Sequence, residues 1–303
     1  MGSMFEDNPN LIQEAHSTNN ALPWTRKSTP LVLIHDGGGT IFSYYCLGDL
    51  GRQVYGIHNP HYQSGETWEG GIPEMAAHYL KLIKSVVPSG DIIIGGWSLG
   101  GLLSLEVAHQ LANEKRKTLN LLGIVMVDSV CPMVLTAPVL PVIQHAVQWG
   151  THTKQETKDR ILRSFAQSTK MVREWTLPVW DCNKQGANHE EKQENGTNGN
   201  GRPALPKATS TIARPPPVIL LRAIEPVPVP GEGLSRVDVH RADSLLGWGG
   251  YRKDLITKVV DIPGHHFNIF HTEENLETST KEIKKACLDL EEMNDTNTGR
   301  LFG

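Results

Sequence analysis

Residues 91–101 constrain the fold more than any other part of the sequence. Residues 91–96 (DIIIGG) form a short apolar run typical of a strand buried on both faces, and a helical pattern extends from Gly100 to Asn113. Between them, Ser98 is the centre of a Gly-x-Ser-x-Gly motif, so the chain must turn sharply where side chains on either side would clash with backbone. Such a turn directs the serine hydroxyl out of the sheet at a helix N-terminus, where N–H groups face developing negative charge. The motif alone also fits a turn without catalysis, but its strand and helix favour a nucleophile.

Further apolar runs of the same kind recur along the chain and alternate with helical patterns. Strands are predicted at Pro30–Ile34, Arg52–Ile57, Leu121–Asp128, Val218–Ala223 and Lys258–Ile262, and helices at Ile72–Val87 and Asn275–Met293. Strands that alternate with helices indicate a parallel sheet covered by helices on both faces, so we expect an α/β fold.

The alternation stops in the middle of the chain. Residues 132–215 hold helical stretches at Val139–Trp149 and Thr157–Val172 with no strand between them, and residues 184–210 are rich in Asn, Gly, Gln and Glu. The latter segment has too little apolar surface to offset its ordering entropy, so we expect it to be disordered. The insertion is either a separate subdomain or a lid; the lid is favoured because ligands bind at the carboxyl ends of parallel strands.

The remaining segments complete the expected domain organisation. Residues 30–131 and 216–293 are predicted to form one core, separated by the insertion. Residues 1–29 are predicted to be a flexible N-terminal arm or linker, and the mostly polar residues 294–303 a frayed tail.

Composition excludes several classes of function. The net charge is −4 and the Lys and Arg residues form no long cluster, so no nucleic-acid partner is expected. No apolar run reaches the roughly 18–20 residues that cross a membrane, and no basic segment followed by an apolar one suggests secretion. The four cysteines lie far apart, without a CxxC pair or a His cluster at metal spacing, so we expect reduced thiols, no metal and a cytoplasmic location.

A serine hydroxyl needs a general base, which in turn needs an acid that orients it. In this fold the chain order is serine, acid, histidine, and the histidine follows the last strand, where His265 and His266 are adjacent. Two carboxylates follow strands at the same sheet edge, Asp128 and Glu225. The residues alone do not separate these candidates.

The loop after the first predicted core strand, His35–Gly39 (HDGGG), is the candidate for an oxyanion hole. One donor would be the N–H of Leu99, and the other an N–H of this loop, whose glycines allow close approach of a substrate. The loop lacks the Lys and the spacing of a phosphate-binding P-loop. A glycine turn with only a structural role is the alternative.

Together these motifs resemble the thioesterase domains that end polyketide synthases and nonribosomal peptide synthetases, particularly fungal ones. The similarity covers roughly residues 30–131 and 215–290. The similarity is carried by four segments: His35–Gly39, Gly95–Gly101, Met126–Ser129 and Gly264–Phe267. A Leu-Gly-Trp segment within Ser244–Trp248 also resembles fungal members of the family.

The resemblance implies an α/β-hydrolase fold, a mostly parallel sheet flanked by helices, with a helical lid insertion. It implies that the acid is Asp128, in a Val-Asp-Ser segment, and that the base is His266, which precedes a Phe. It also implies that Gly37 supplies the first oxyanion amide. The expected partner is an acyl carrier protein, whose phosphopantetheine thioester delivers a small-molecule acyl chain, and no separate cofactor is expected.

Two other functions remain open from the sequence. A carboxylesterase or lipase acting on free small-molecule esters would use the same residues without a carrier protein. A non-catalytic ligand-binding member of the fold would use none of them. For a thioesterase, the acyl group could pass to water, to a nucleophile on the same chain or to an external alcohol.

Overall fold

A seven-stranded, mostly parallel sheet forms the centre of the fold, in the order β1-β3-β2-β4-β5-β7-β9, with β1 antiparallel at one edge. The computed structural model describes residues 7–15, 28–133, 141–143, 152–180, 214–297 and 299. Strands β6 and β8 pair with each other in a separate two-stranded sheet. The strands are β1 (Asn10–Gln13), β2 (Leu31–Ile34), β3 (Val54–Ile57), β4 (Gly90–Trp97), β5 (Leu119–Val127), β6 (Val142–Ile143), β7 (Val218–Ala223), β8 (Leu234–Ser235) and β9 (Ile256–Ile262).

Helices cover both faces of the large sheet, which explains why the central strand β2 is apolar and buried at every position. Successive side chains of a strand point to opposite faces; in β2, Leu31 and Leu33 pack with α1 and α6, whereas Val32 and Ile34 pack with α2 and α3. The helices are α1 (Phe42–Tyr45), α2 (Gly71–Val86), α3 (Leu99–Ala112), α4 (Gln155–Glu174), α5 (Trp248–Tyr251) and α6 (Glu273–Asn297), with a 3₁₀ turn at Arg236–Asp238. No helix among the described residues is long and apolar enough to span a membrane.

The prediction of a flexible arm over residues 1–29 is wrong for β1. Asn10 pairs with Gly56 and Leu11 with Tyr55, so this segment is the edge strand of the sheet. The side-chain amide of Gln13 donates to the Gly48 carbonyl at 2.9 Å and anchors the strand further. An edge strand that is only partly buried has little apolar patterning, which is why no strand was predicted for these residues. Residues 1–6 and 16–27 lie outside the described residues.

In the insertion, α4 confirms the helix predicted at Thr157–Val172. The prediction of a helix at Val139–Trp149 is wrong for Val142–Ile143, because these two residues form strand β6, which pairs in parallel with β8. A two-residue strand is too short to leave a periodic pattern. The predicted disordered loop, residues 184–210, and most of the Val139–Trp149 stretch lie outside the described residues.

The prediction of a frayed tail from residue 294 is wrong for residues 294–297, because α6 continues to Asn297. The Thr296 hydroxyl donates to the Met293 carbonyl at 2.9 Å within this last turn. Asn, Asp and Thr have low helix propensity, but propensity is a weak determinant when a long helix is already docked on a sheet. Residues 298 and 300–303 lie outside the described residues.

Candidate active site

Ser98 lies at the junction of β4 and α3 in a strained backbone conformation, with φ 56° and ψ −116°. Its N–H donates to the Val127 carbonyl at 2.9 Å. A Cβ on Gly96 or on Gly100 would lie 2.4 or 2.2 Å from the Ile34 carbonyl oxygen of the neighbouring strand. Both motif positions therefore require glycine, because only then can β2 approach the turn closely enough to hold the strained serine in place.

His266 bridges Ser98 and Asp128. Its Nε2 lies 3.0 Å from Ser98 Oγ, and its Nδ1 lies 2.8 Å from Asp128 Oδ2. The imidazole and the carboxylate are both buried, and the Asp128 N–H donates to the Leu221 carbonyl at 2.7 Å. A carboxylate accepts only, so Nδ1 carries the proton and the lone pair of Nε2 faces the serine hydroxyl.

The structure does not bring the two alternative candidates to these positions. The Glu225 side chain is exposed, whereas the Glu225 N–H donates to the Gly264 carbonyl at 3.0 Å. His265 Nδ1 accepts from the Phe267 N–H at 3.3 Å. Asp128 and His266 are thus the acid and histidine that lie in line with Ser98.

Besides His266, the Asp128 carboxylate has a positively charged partner that the sequence did not indicate. Arg241 Nη1 lies 2.6 Å from Oδ1, Arg241 Nη2 lies 2.8 Å from Oδ2, and the Ala223 N–H donates to Oδ1 at 2.9 Å. Burial raises the pKa of Asp128, but the hydrogen bonds from Arg241 and His266 outweigh it and lower this pKa to about 2. The carboxylate is therefore ionised at neutral pH.

Asp238 in turn positions Arg241. Its Oδ1 lies 2.9 Å from Arg241 Nε, and its Oδ2 accepts from the Val227 N–H at 2.7 Å. Both residues belong to a connecting segment without an apolar period or a recognisable motif, so no local signal could have found them. The two buried carboxylates share one guanidinium, which balances much of their charge.

The glycine loop after β2 lies beside the nucleophile. Gly37 and Leu99 line the same cavity as Ser98 and His266. Leu99 is the first residue of α3, so its N–H has no partner within the helix. The structure therefore places both predicted residues beside the serine.

A buried histidine anchors this loop at its start. His35 Nδ1 lies 2.5 Å from the Asp36 carbonyl oxygen and His35 Nε2 lies 2.6 Å from the Tyr79 hydroxyl. Burial lowers the pKa of His35 to about 4, so the ring is neutral near pH 7. The carbonyl can only accept, hence Nδ1 donates to it and the tyrosine hydroxyl donates to Nε2.

Asp36 follows in the same loop. Its Oδ1 accepts from the Gly38 N–H at 3.1 Å and so closes a tight turn. Burial raises the pKa of this carboxyl to about 6, against the opposing effects of the Gly38 hydrogen bond and of His266. Asp36 therefore titrates close to the physiological range.

Helix α4 covers the glycine loop. The Ser168 hydroxyl donates to the Gly37 carbonyl at 3.1 Å, and a Cβ on Gly37 would lie 3.0 Å from Phe165 Cδ1. Arg163 Nη2 donates to the Tyr62 carbonyl at 3.1 Å. Between this helix and the serine lies a cavity of about 480 Å³ with a mostly apolar wall. A cavity of this size accommodates a small acyl group.

No metal site occurs in the described parts of the chain, since no three His, Cys, Asp or Glu side chains cluster there at ligand distance. The serine, histidine and aspartate at the carboxyl edge of a mostly parallel sheet, with a helical cover above, define an α/β-hydrolase.

Comparison with known proteins identifies the family within this class. Residues 29–139 match the thioesterase domain family model. The chain is 37% identical to the thioesterase frbE of Dothideomycetidae sp. over 94% of this chain and 96% of that protein. The chain belongs to the thioesterase family, and it is an enzyme of the serine-hydrolase type.

Two further similarities agree with this. The chain is 35% identical to part of the nonribosomal peptide synthetase imqB of Aspergillus flavus, covering 94% of this chain and 8% of that protein. The solved NocB thioesterase domain, in covalent complex with a fluorophosphonate nocardicin G analogue, superposes with a TM-score of 0.55 at 20% identity, covering 85% of this chain and 94% of that one. At this identity the second similarity supports the fold alone.

Proposed function

We propose that this thioesterase releases a polyketide or related acyl chain from the phosphopantetheine thioester of an acyl carrier protein through an acyl-Ser98 intermediate. The observation that carries the proposal is the hydrogen-bonded series from Ser98 Oγ to His266 Nε2 and from His266 Nδ1 to Asp128 Oδ2. No cofactor takes part, because phosphopantetheine arrives as a component of the substrate.

In the first half-reaction, His266 Nε2 takes the proton of Ser98 as Oγ attacks the thioester carbonyl carbon. Gly37 and Leu99 donate their N–H groups to the oxyanion of the tetrahedral intermediate. The C–S bond then breaks, and the thiolate leaves with the proton from His266. Asp128 holds the imidazole in the required tautomer and stabilises the imidazolium. The product is an ester between the acyl group and Ser98.

In the second half-reaction, a nucleophile gives its proton to His266 Nε2 and attacks the acyl-Ser98 ester. The same oxyanion donors act again, and Ser98 leaves with the proton that His266 returns. Water yields a free acid, a hydroxyl on the chain yields a lactone, an enolic carbon yields a carbocycle and an external alcohol yields an ester.

Residues 132–215 serve as the lid in this proposal. The contacts of Phe165 and Ser168 in α4 with Gly37 support it, because they connect the insertion to the oxyanion loop. A lid in this position limits the access of water to the acyl-enzyme and favours acceptors that the cavity itself holds.

The carrier partner is supported by the match to part of a nonribosomal peptide synthetase, a class of enzyme that works on carrier-bound intermediates. We further propose that the enzyme acts in the cytoplasm. The described cysteines Cys46, Cys131 and Cys287 are free thiols, as expected in a reducing compartment.

The test compares the same acyl group presented in two ways, as a carrier-protein thioester and as a free p-nitrophenyl ester. We expect higher kcat/KM with the carrier-bound form and an acyl adduct on Ser98 detectable by mass spectrometry. The Ser98→Ala variant is the matched control and should give neither adduct nor turnover. A strong preference for the free ester would instead establish a carboxylesterase, and a folded wild-type protein that fluorophosphonates do not label would exclude serine catalysis.

A further inference from the structure

A second cavity, of about 940 Å³, adjoins the cavity above Ser98. Its outer wall is apolar and aromatic, with Trp175, Leu177, Trp180 and Tyr251 among its residues. The two cavities share part of their lining, so the second cavity lies directly next to the one above the nucleophile. The shared residues are Pro132, Val142, Val172, Arg173, Arg236 and Val239.

Two of these shared residues are arginines. Arg173 lies in the last turn of α4 and Arg236 in the 3₁₀ turn that follows β8. Within the described parts of the chain, neither guanidinium forms an ion pair or a hydrogen bond with another residue. Burial and the charge of Arg173 both lower the pKa of Arg236, so the two cations are close enough to repel each other.

Other arginines of the same helix do not behave in this way. Arg160 is paired with Glu156, and Arg163 donates to the carbonyls of Tyr62 and Gln63 at 3.1 and 3.2 Å. Of the three described arginines compared in this helix, the one without a partner, Arg173, is thus the one that lines the cavities.

The described residues of the cavity walls carry formal charge of one sign. No Asp or Glu is among the described residues that line either cavity, whereas Arg173, Arg236 and Arg252 are. Arg252 is already paired with Asp254, at 2.7 Å from Nε to Oδ1. The protein as a whole has a net charge of −4, so this positive space is a local feature. Both arginine side chains are exposed, so they are accessible to an anion, and two neighbouring positive charges attract it more strongly than one.

We propose that Arg173 and Arg236 jointly bind an anionic group of the carrier-bound substrate while its acyl carbonyl is at Ser98. The chemistry is that of phosphate or carboxylate oxygens, which match the planar guanidinium fork. The anion is either the phosphate of the phosphopantetheine arm or a carboxylate on the acyl chain. The apolar and aromatic wall of the second cavity holds the adjacent part of the substrate. This inference rests on the proposed function, since it assigns a substrate group to that site.

The experiment uses four thioesters of one acyl skeleton. Two are pantetheine thioesters and two are phosphopantetheine thioesters; in each pair the acyl chain ends in a free carboxylate or in its methyl ester. The variants are Arg173→Gln, Arg236→Gln and the double substitution. Arg160→Gln is the matched control, because it removes one positive charge from the same helix outside the cavities.

We expect the wild type to prefer the thioester that carries the recognised anion, and each variant to lose roughly tenfold in kcat/KM for it, mostly through KM. Loss confined to the phosphate-bearing pair identifies the phosphopantetheine arm, and loss confined to the carboxylate-bearing pair identifies the acyl chain. The methyl-ester pantetheine thioester should react equally well with all variants, and Arg160→Gln should match the wild type throughout.

Retention of the wild-type preferences by both variants and by the double substitution would overturn the inference, as would an equal loss for all four thioesters. Both outcomes leave the proposed function intact, because the wild type still turns over the thioesters. Failure of the wild type on all four, and on the carrier-bound substrate, would instead overturn the proposed function.

Discussion

The guanidinium of Arg241 lies against the carboxylate of Asp128, with Nη1–Oδ1 and Nη2–Oδ2 distances of 2.6 and 2.8 Å. His266 Nδ1 approaches Oδ2 of the same carboxylate at 2.8 Å. The acid that orients the histidine is therefore itself oriented by a bidentate ion pair, with both side chains almost fully buried. Arg241 is a positioning residue: it acts on Ser98 only through Asp128 and His266.

Substitution Arg241→Gln should lower both stability and activity. It leaves the buried carboxylates of Asp128 and Asp238 without their cation, a loss that typically costs about 3–5 kcal/mol of unfolding free energy. Urea unfolding measures the stability, and the rate of fluorophosphonate labelling measures nucleophile activation. Arg241→Lys should recover part of the stability but less of the labelling rate, because lysine keeps the positive charge but cannot form the bidentate hydrogen bonds of a guanidinium.

The pH dependence of stability distinguishes this role from simple packing. The folded-state pKa of Asp128 is depressed to about 2, so its contribution to stability is present above the unfolded value near 3.8 and is lost as pH falls towards 2. Without Arg241 the Asp128 pKa rises, and acid unfolding should begin at higher pH than in the wild type. Identical acid-unfolding midpoints would contradict the assignment.

Asp128→Asn and Glu225→Gln form a matched pair, since each replaces a carboxylate by an amide. The asparagine favours the wrong tautomer of His266, so kcat should fall by about 10³- to 10⁴-fold. The exposed Glu225 has no contact with His266 among the described residues, so its substitution should leave kcat within about twofold of the wild type, given that exposed side chains contribute little. Steady-state kinetics on one thioester decides between them, and the reverse ranking would refute the acid assignment.

The two adjacent histidines can be separated in the same manner. His266→Ala removes the group 3.0 Å from Ser98 Oγ and should abolish acyl-enzyme formation. His265→Ala should leave acylation measurable, because the imidazole at hydrogen-bond distance from Ser98 Oγ is that of His266, whereas His265 Nδ1 accepts from the Phe267 N–H. Intact-protein mass spectrometry after a single turnover reports the acyl adduct. An adduct of wild-type yield in the His266 variant would exclude it as the base.

Asp36→Asn should stabilise the protein at neutral pH. The folded-state pKa of Asp36 is raised to about 6, so its favourable contribution is complete below the unfolded value near 3.8 and is lost as pH rises through 6. The asparagine keeps an oxygen for the Gly38 N–H and never ionises. The difference in unfolding free energy, variant minus wild type, should increase by roughly 2–3 kcal/mol between pH 4 and pH 7 and then level off, because each unit of pKa difference is worth about 1.4 kcal/mol. A difference independent of pH would contradict this account.

Gly37→Ala tests the contact between the oxyanion loop and helix α4. The new Cβ would lie 3.0 Å from Phe165 Cδ1, so the helix or the loop must move, and overpacking of this kind costs about 1–3 kcal/mol. Slower labelling of Ser98 should follow. Adding Phe165→Ala to this variant makes room for the methyl group and should restore part of the labelling rate. If the effects of the two substitutions were simply additive in a double-mutant cycle, the proposed contact between Gly37 and Phe165 would be contradicted.

Much of the fold follows from local patterns. The apolar runs at Leu31–Ile34 and Val218–Ala223 are strands within a residue or two of their predicted ends, because a strand buried on both faces is apolar at nearly every position. The edge strand Asn10–Gln13 left no such pattern and was found only through its pairing with β3.

The sequence by itself determined the position and surroundings of Ser98, since a strand, two glycines and a helix encode that turn within eleven consecutive residues, 91–101. From the residues alone it left two acids and two histidines open, and family resemblance favoured Asp128 and His266. Only the tertiary structure brought Arg241 to Asp128, 113 residues away in the chain, and placed Arg173 and Arg236 in the lining of two cavities. The physical reason is that a local pattern records which face of an element is buried, whereas contacts between distant segments depend on how the whole sheet and its lid pack together.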